Sequence, residues 1–207
     1  KMRECGDNEI EREYWDKRQL VKKINLNSLY GAILNTGCRF FDIRIGQSVT
    51  LTGRCITEHM ASKVNEVVTG KYDHKGESIV YGDTDSVYFS AFKTLQKEIK
   101  EGVIPWTKDS VVALYDKIAD EVNGSFKSFM TRAFHTPSSR GEVIAAGREL
   151  VASKGLFITK KKYAVLYYDK EGKRADVDGK DGKMKAMGLD LKRSDTPVFV
   201  QDFLSEV

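Results

Sequence analysis

The stretch Tyr81-Gly82-Asp83-Thr84-Asp85-Ser86 decides the fold, because it places two carboxylates one residue apart between two runs of strand-forming residues. Val80 and Tyr81 precede the aspartates, and a Val-Tyr-Phe run follows Ser86. Glycine and aspartate are typical of tight turns, because Gly82 is free to take a positive φ and aspartate can form local hydrogen bonds. The sequence therefore predicts a β-hairpin over residues 79–89, with both aspartates at its tip.

Asp83 and Asp85 form the first candidate site. Two neighbouring carboxylates repel one another unless a cation lies between them, and hard oxygen ligands suit Mg²⁺ or Mn²⁺. The alternative is a solvated turn in which the aspartates only cap backbone amides. The apolar strand residues on both sides of this Asp-x-Asp string favour metal binding.

A second candidate site lies in Lys23-Ile24-Asn25-Leu26-Asn27-Ser28-Leu29-Tyr30-Gly31, near the end of a helix predicted to begin at residue 9. Lys23, Asn27 and Tyr30 are spaced i, i+4 and i+7, so they share one helical face. Such a face suits an anionic ligand that carries a ring, and Gly31 permits close approach of the backbone. A polar stripe without a ligand is the alternative, and these residues alone do not decide between the two.

Together, the two strings resemble motifs of the family B DNA polymerases, particularly those of tailed bacteriophages. The helical string resembles the fingers motif of that family, and the Asp-x-Asp string resembles its palm carboxylate motif. Lys160-Lys161-Lys162-Tyr163 is similar to the basic motif that the family uses near the primer terminus. Met187-Gly188-Leu189, followed by Lys192-Arg193-Ser194-Asp195-Thr196-Pro197, is similar to the stretch that leads into its thumb.

The resemblance implies a template-directed DNA polymerase that joins a dNTP to a primer terminus by two-metal nucleotidyl transfer. It implies that Asp85 is the main catalytic and Mg²⁺-binding residue, Asp83 a weaker one, and Glu149 a supporting acidic residue. A salt bridge on a strand surface is an equal alternative for Glu149. The resemblance also implies nucleotide binding by Lys23, Asn27 and Tyr30, and contacts to primer–template DNA by Gly31, Lys160, Lys161, Lys162 and Tyr163.

The pattern of apolar residues predicts an α+β fold. Helices are expected at residues 9–34, 45–68, 92–100, 109–134 and from 196 to about 204, and strands at 79–89 (the hairpin), 142–151, 156–158, 163–168 and 184–189. In the resembled family this would be a palm-like antiparallel sheet with helices on one face, plus a protruding fingers helix. Residues 1–34 would then be the second half of the fingers, 35–195 the palm, and 196–207 the start of the thumb.

The family's third carboxylate comes from a string of the form Asp-x-x-Ser-Leu-Tyr-Pro, and residues 1–207 contain no such string. We therefore expect an incomplete two-ion site, little or no polymerase activity of the chain alone, and an unpaired sheet edge. Self-association, or binding of a complementary polymerase fragment, would cover that edge.

Composition excludes several classes of protein. The chain has 207 residues, of which 41% are hydrophobic, and no apolar run approaches the length of a membrane span. Its three cysteines are unpatterned, which argues against structural zinc and for a reducing compartment, the bacterial cytoplasm if the phage likeness holds. His59 has no partner at metal-ligand spacing and is expected on a helix surface.

Other functions are compatible with the same residues. A non-catalytic nucleic-acid-binding module would use the basic string at residues 160–163 and leave both aspartates idle. A different two-metal nucleotidyl enzyme, such as a cyclase or primase, would have no need of the fingers-like helix. A structural remnant with no ligand site is the third alternative.

Overall fold

The computed structural model describes residues 8–177, 179–189 and 196–206, and the side chains of the last segment up to residue 202. The helices of this part of the chain are α1 (Glu9–Leu34), α2 (Ile43–Thr69), α3 (Phe92–Lys100), α4 (Lys108–Phe134), α5 (Ser138–Gly141) and α6 (Val198–Glu206). Its strands are β1 (Ile79–Asp83), β2 (Ser86–Phe89), β3 (Leu150–Thr159), β4 (Lys162–Lys170), β5 (Lys173–Arg174) and β6 (Lys183–Met187). Residues 192–195, which carry part of the thumb-like motif and the predicted palm–thumb boundary, lie outside the described residues.

The helices α1 to α4 and the hairpin β1–β2 confirm the predicted elements, and their ends differ from the predicted ones by two residues or fewer. The capping residues explain where α1 and α4 begin. The side chain of Asn8 accepts a hydrogen bond from the Glu11 amide at the start of α1. Thr107 and Ser110 form a reciprocal capping box at the start of α4.

The strand predicted over residues 142–151 is wrong for most of its length, because β3 begins only at Leu150. The side chain of Asn123 supplies the hydrogen bonds that a neighbouring strand would have made. Its Oδ1 accepts from the Ala146 amide at 2.7 Å, and its Nδ2 donates to the Ala146 carbonyl at 2.9 Å. The backbone of Ala146 is thus satisfied without a sheet partner.

The strands of the described residues form two antiparallel sheets. One contains β1 and β2, and the other has β4 at its centre, paired with β3, β5 and β6. The mixture of helices with antiparallel sheets confirms the predicted α+β class. The strands are divided between two sheets, however, whereas the sequence predicted one.

Helix α4 packs against both sheets. Its residues Ile118, Val122 and Phe126 pack with Val64 of α2, and Ile79 and Phe89 of the hairpin are among the residues that contact this cluster. In a second cluster, Val111 of α4 packs against Val151 of β3 and Tyr168 of β4. The spacing of four residues between the first three places them on one helical face, as the sequence predicted.

The chain divides into two compact units, Lys1–Cys55 and Ile56–Val207. In the first unit, no described residue of α1 is buried. The apolar side chains of Ile24, Leu26 and Leu29 are accordingly each more than half exposed in the described structure. Within the part of the chain that is described, no helix has both the length and the apolarity needed to cross a bilayer.

Candidate functional site

The turn between β1 and β2 holds the two aspartates. Asp83 ends β1 and is half-buried, whereas Asp85 lies in the turn and is exposed. The residue with a positive φ is Thr84, at 48°, and Gly82 takes an ordinary strand conformation within β1. The conformational freedom of Gly82 is thus not used in this turn. A left-handed conformation costs a non-glycine residue about 1–2 kcal/mol, so neighbouring contacts must hold Thr84 in place.

Several hydrogen bonds hold this turn. The Asp85 amide donates to the Asp83 carbonyl at 2.6 Å, and the Thr84 hydroxyl donates to Asp83 Oδ1 at 3.1 Å. The Ser86 hydroxyl donates to the Asp83 carbonyl at 3.2 Å. From outside the turn, the hydroxyl of Thr57 on α2 donates to the Thr84 carbonyl at 2.9 Å. Among the described residues nothing donates to the Asp85 carboxylate, so it is open to a ligand.

The two aspartates suit Mg²⁺ in donor type, although they are too few to bind it alone. Both carboxylates offer hard oxygens, but Mg²⁺ takes six ligands. Glu149, the predicted supporting acid, lies just before β3, where its Oε1 accepts a hydrogen bond from Lys185 at 2.7 Å. In the described ranges, no three His, Cys, Asp or Glu side chains come together as a metal site. A metal bound here would need ligands beyond these two residues.

The three predicted DNA-binding lysines, Lys160, Lys161 and Lys162, are exposed at the turn between β3 and β4. Lys161 has a φ of 63°. Gly188 backs this turn so closely that a Cβ atom there would lie 2.0 Å from the Lys161 carbonyl oxygen. Gly188 also has a φ of 63°, so both its conformation and its position require glycine.

A cluster of four aromatic residues joins the lysine turn to the hairpin. The Lys161 amide donates to the Tyr81 hydroxyl at 2.8 Å, and the Tyr81 ring stacks on Phe157 with the ring centres 5.3 Å apart. The Tyr88 hydroxyl donates to the Tyr163 hydroxyl at 3.2 Å. Burial, together with this hydrogen bond, raises the pKa of Tyr88, so its hydroxyl stays protonated.

Tyr163, a predicted DNA-binding residue, is only 5% exposed, and its ring belongs to this aromatic cluster. The lysines and the carboxylate hairpin are therefore tied together, with Tyr163 between them. Sequence reasoning missed the connecting role of Tyr81 and Tyr88. Their aromatic character at strand positions was visible, but their partners lie about 80 residues further along the chain.

A cavity of about 580 Å³ opens beside the hairpin. Residues 86–90 of the hairpin line one side, and residues 145–155 line the other. The floor is apolar and includes Met60, Val64 and Val122, while Asp85, Arg148 and Glu149 supply polar atoms. Within the described residues, β2 pairs only with β1, so the hairpin retains unpaired backbone edges.

The nucleotide-binding candidates lie on α1, in the first unit. Lys23 and Asn27 are exposed, and Tyr30 is half-buried, with its hydroxyl donating to the Gly46 carbonyl at 3.5 Å. Gly31 has open space where a Cβ would lie. The continuous helix confirms that these residues lie along one helix, as the spacing predicted.

A second cavity, of about 560 Å³, lies between α2 and α4 and is lined by His59. The expectation that His59 lies on a helix surface is wrong, since its exposure is 6%. Its Nδ1 contacts the Tyr72 hydroxyl at 2.7 Å and its Nε2 contacts the Ser125 hydroxyl at 3.0 Å. Burial lowers the pKa of His59, and nearby Lys63 and Arg132 lower it further. Because the ring of His59 is neutral and both of its nitrogens are hydrogen-bonded, we interpret His59 as a residue that stabilises the fold.

Comparison with known proteins agrees with the motifs. The family model for DNA polymerase family B matches residues 1–132, which include α1, α2 and the carboxylate hairpin. The chain is 34% identical to the DNA-directed DNA polymerase of Escherichia phage RB69 and 31% identical to that of Enterobacteria phage T4, in both cases over 91% of this chain and 21% of the relative. It is also 30% identical to the DNA polymerase delta catalytic subunit of Oryza sativa subsp. japonica, over 95% of this chain and 15% of that protein.

The chain thus spans about a fifth of the length of the phage relatives, and less of the plant one. The family model covers more than half of the chain and includes the Asp83–Asp85 turn. The chain belongs to DNA polymerase family B.

Proposed function

We propose that this chain supplies the palm carboxylates, part of the fingers and a primer-contacting turn to a template-directed DNA polymerase. Residues 1–34 would form the second half of the fingers, 35–195 the palm and 196–207 the start of the thumb. The observation that carries the proposal is the 2.8 Å hydrogen bond from the Lys161 amide to the Tyr81 hydroxyl. It ties a turn of exposed lysines to the hairpin that bears Asp83 and Asp85, and so joins a nucleic-acid contact to a carboxylate pair.

The carboxylates are proposed to act unequally. Asp85 is exposed and accepts no hydrogen bond from the described residues, so both of its oxygens are open to Mg²⁺. Asp83 has one oxygen engaged by the Thr84 hydroxyl and contributes less. Bound Mg²⁺ would activate the primer hydroxyl and offset the charge of the triphosphate. Glu149 would act through Lys185, which it already pairs with, as a supporting residue at the rim.

Residues of α1 are proposed to bind the incoming dNTP. The exposed Lys23 ammonium would neutralise charge on the triphosphate. Asn27 and Tyr30 would lie against the nascent base pair, and the half-buried ring of Tyr30, anchored through its hydroxyl, suits a residue that checks shape. Gly31 would allow close approach of the nucleic acid, because nothing fills the space beside it.

The lysine turn is proposed to hold the primer–template duplex. Lys160, Lys161 and Lys162 are exposed and suit contacts to phosphates, which position DNA without reading its sequence. The buried Tyr163 would anchor this turn to the hairpin. The net charge of the chain is only +4, so this local concentration of charge supports the proposal better than the total does.

The metal site is proposed to be completed from outside these 207 residues. Residues 1–207 contain no third carboxylate motif, and the apolar cavity beside the hairpin offers room for a further strand with unpaired hairpin edges next to it. A complementary polymerase segment would fill it, and self-association is the alternative. The chain alone would then be inactive or nearly so, and the completed polymerase would act in the bacterial cytoplasm if it is phage-encoded.

Mg²⁺-dependent primer extension tests the proposal. The chain would be assayed alone and mixed with a polymerase segment that carries the Asp-x-x-Ser-Leu-Tyr-Pro motif. We expect extension in the mixture only, reduced to background by Asp85→Asn. The matched variant Asp120→Asn, which changes an exposed aspartate of α4, should leave it unchanged. Extension that survives Asp85→Asn would overturn the assignment of Asp85.

A non-catalytic nucleic-acid-binding module is the second candidate. The pairing of Glu149 with Lys185 and the lack of a three-acid cluster among the described residues favour it. It predicts duplex binding by the chain alone, with a salt slope that falls by about one for each lysine removed from the turn. Binding that is weakened in Lys161→Ala but unchanged in Asp85→Asn, without primer extension in any mixture, would support the module over the polymerase.

A further inference from the structure

We propose that Thr57, on α2, is a positioning residue that fixes the geometry of the Asp83–Asp85 turn for metal binding. The inference rests on the proposed function, because it concerns how the same carboxylates are held. Thr57 has no carboxylate or ring of its own and lies in none of the motifs identified in the sequence. Its role follows from one hydrogen bond and from the unusual conformation of the residue that accepts it.

Thr84, the residue between the two aspartates, is β-branched and has a φ of 48°. Such residues rarely adopt this conformation unless the surrounding structure enforces it. The hydrogen bonds from Asp85 and Ser86 to the Asp83 carbonyl lie within the turn. The bond from Thr57 is different, because it crosses 27 positions of sequence to reach the Thr84 carbonyl at 2.9 Å. It holds the peptide plane that leads into Asp85.

Helix α2 contacts the hairpin at its base as well as at its tip. Asn65 of α2 is 1% exposed, and its Oδ1 accepts hydrogen bonds from the Ser78 amide at 3.2 Å and the Ser78 hydroxyl at 2.7 Å. Ser78 immediately precedes β1, and its carbonyl accepts from the Ser90 amide, which follows β2, at 2.8 Å. The base is therefore fixed through Asn65, and the tip is fixed through Thr57.

This arrangement matters for a metal, because Mg²⁺ demands near-ideal ligand geometry. Partners that orient the ligands without touching the metal change metal affinity by 10–100-fold in known sites, as an order of magnitude. Asp85 follows directly after the Thr84 carbonyl that Thr57 holds. Loss of the Thr57 hydroxyl would therefore leave the orientation of the Asp85 carboxylate unfixed. The hairpin would stay folded through Asn65 and the aromatic cluster.

Three variants separate this role from general stability. Thr57→Val keeps the shape of the side chain and removes the hydroxyl, and Thr57→Ser restores a hydroxyl. Thr131→Val is the matched control, because the Thr131 hydroxyl donates to the Lys127 carbonyl within its own helix, α4. The first measurement is amide hydrogen exchange by NMR on the 207-residue chain.

We expect the amides of Thr84, Asp85 and Ser86 to exchange about fivefold faster in Thr57→Val, as for the loss of one ordinary hydrogen bond. The amide of Ser78 should not change, and Thr57→Ser and Thr131→Val should match the original chain. Unchanged exchange at Asp85 in Thr57→Val would overturn the inference, and so would an equal increase at Ser78.

The second measurement is the Mg²⁺ concentration for half-maximal primer extension in the mixture with the complementary segment. Thr57→Val should raise it by about tenfold, with the KM for dNTP unchanged. An unchanged Mg²⁺ requirement, in a mixture that Asp85→Asn inactivates, would overturn the Thr57 inference and leave the proposed function intact. An inactive original mixture would instead overturn the proposed function and the metal-binding part of this inference, and the exchange rates would still decide whether Thr57 holds the turn.

Discussion

Helix α1 and the hairpin β1–β2 carry the two strings that resemble polymerase motifs, yet they are held by different forces. No described residue of α1 is buried, and its stabilising contacts include the Asn8 cap and exposed pairs such as Glu13 with Lys17. The hairpin packs on the core cluster and is tied by side chains from α2, β3 and β4. A motif therefore identifies candidate functional residues, but not what holds them in place. Substitutions matched between the two regions test this difference.

The largest difference is expected for apolar truncation. Phe126→Ala removes a side chain that is 1% exposed at the centre of the core cluster, and should lower the free energy of unfolding by about 3–5 kcal/mol. Leu26→Ala removes a side chain of α1 that is 68% exposed, and should change it by less than about 0.5 kcal/mol. Urea denaturation followed by circular dichroism measures both.

If Leu26→Ala lowered the free energy of unfolding by about 2 kcal/mol or more, the expected difference between the two regions would be contradicted, because so large an effect requires a buried side chain. It would show that α1 buries this face in solution, for example against a second copy of the chain. Dependence of the effect on protein concentration would then identify self-association.

Helical periodicity was sufficient to predict α4, because Ile118, Val122 and Phe126 recur every four residues and all three are buried. It was not sufficient for residues 142–149, where the Asn123 side chain replaces a strand partner for Ala146. No local sequence pattern predicts these hydrogen bonds, since Asn123 and Ala146 are 23 positions apart.

The candidate site shows the same limit of prediction from sequence. The sequence located both aspartates and the lysine turn, and the turn itself was predicted from Gly82 and the aspartates. The positive φ falls at Thr84 instead, beside the hydroxyl of Thr57 on another element. Contacts of this kind depend on how the elements pack, so the sequence could propose the candidate residues but not the contacts that hold them.

A smaller difference is expected for two tyrosine hydroxyls. Tyr81→Phe removes the acceptor for the Lys161 amide and should cost about 1 kcal/mol in the free energy of unfolding. Tyr14→Phe removes an exposed contact with Arg18 at 3.0 Å on α1, and should change this free energy by less than about 0.5 kcal/mol. Amide exchange at Lys161 should quicken in the first variant only; equal exchange in both would mean that the hydroxyl of Tyr81 does not hold the lysine turn.

Substitution by glycine should stabilise the protein in the hairpin turn and destabilise it in α1. Thr84→Gly relieves the left-handed conformation, with a φ of 48°, and loses the bond to Asp83 Oδ1, so we expect a net stabilisation of about 0.5 kcal/mol. Gln19→Gly, in the interior of α1, should destabilise by about 1 kcal/mol, because glycine disfavours helix. Thermal unfolding measures the sign of the change in stability for each variant. A destabilised Thr84→Gly would mean that the hydrogen bond of the Thr84 hydroxyl outweighs the backbone strain.

The smallest expected effect on stability comes from the titration of His59. It is absent at neutral pH and appears on acidification. Burial lowers the pKa of His59 below its unfolded value of about 6.5, so the folded state prefers the neutral ring. Below pH 6.5 the unfolded chain binds a proton that the folded chain excludes, and stability should fall as the pH drops from about 6.5 toward the folded pKa of His59. In the first unit, hydrogen bonds from Arg44 lower the pKa of Asp42 to about 2, so that pair should persist through this range and weaken only between about pH 4 and 2.

Urea unfolding between pH 5 and 8 measures this slope, and His59→Gln is the control because it cannot titrate. The original chain should lose stability on acidification more steeply than the variant. Equal slopes would mean that the ring of His59 takes up a proton without leaving its contacts with Tyr72 and Ser125, and that its burial does not favour the neutral form. A steeper slope in the variant would mean that the folded state raises the pKa of His59 instead of lowering it.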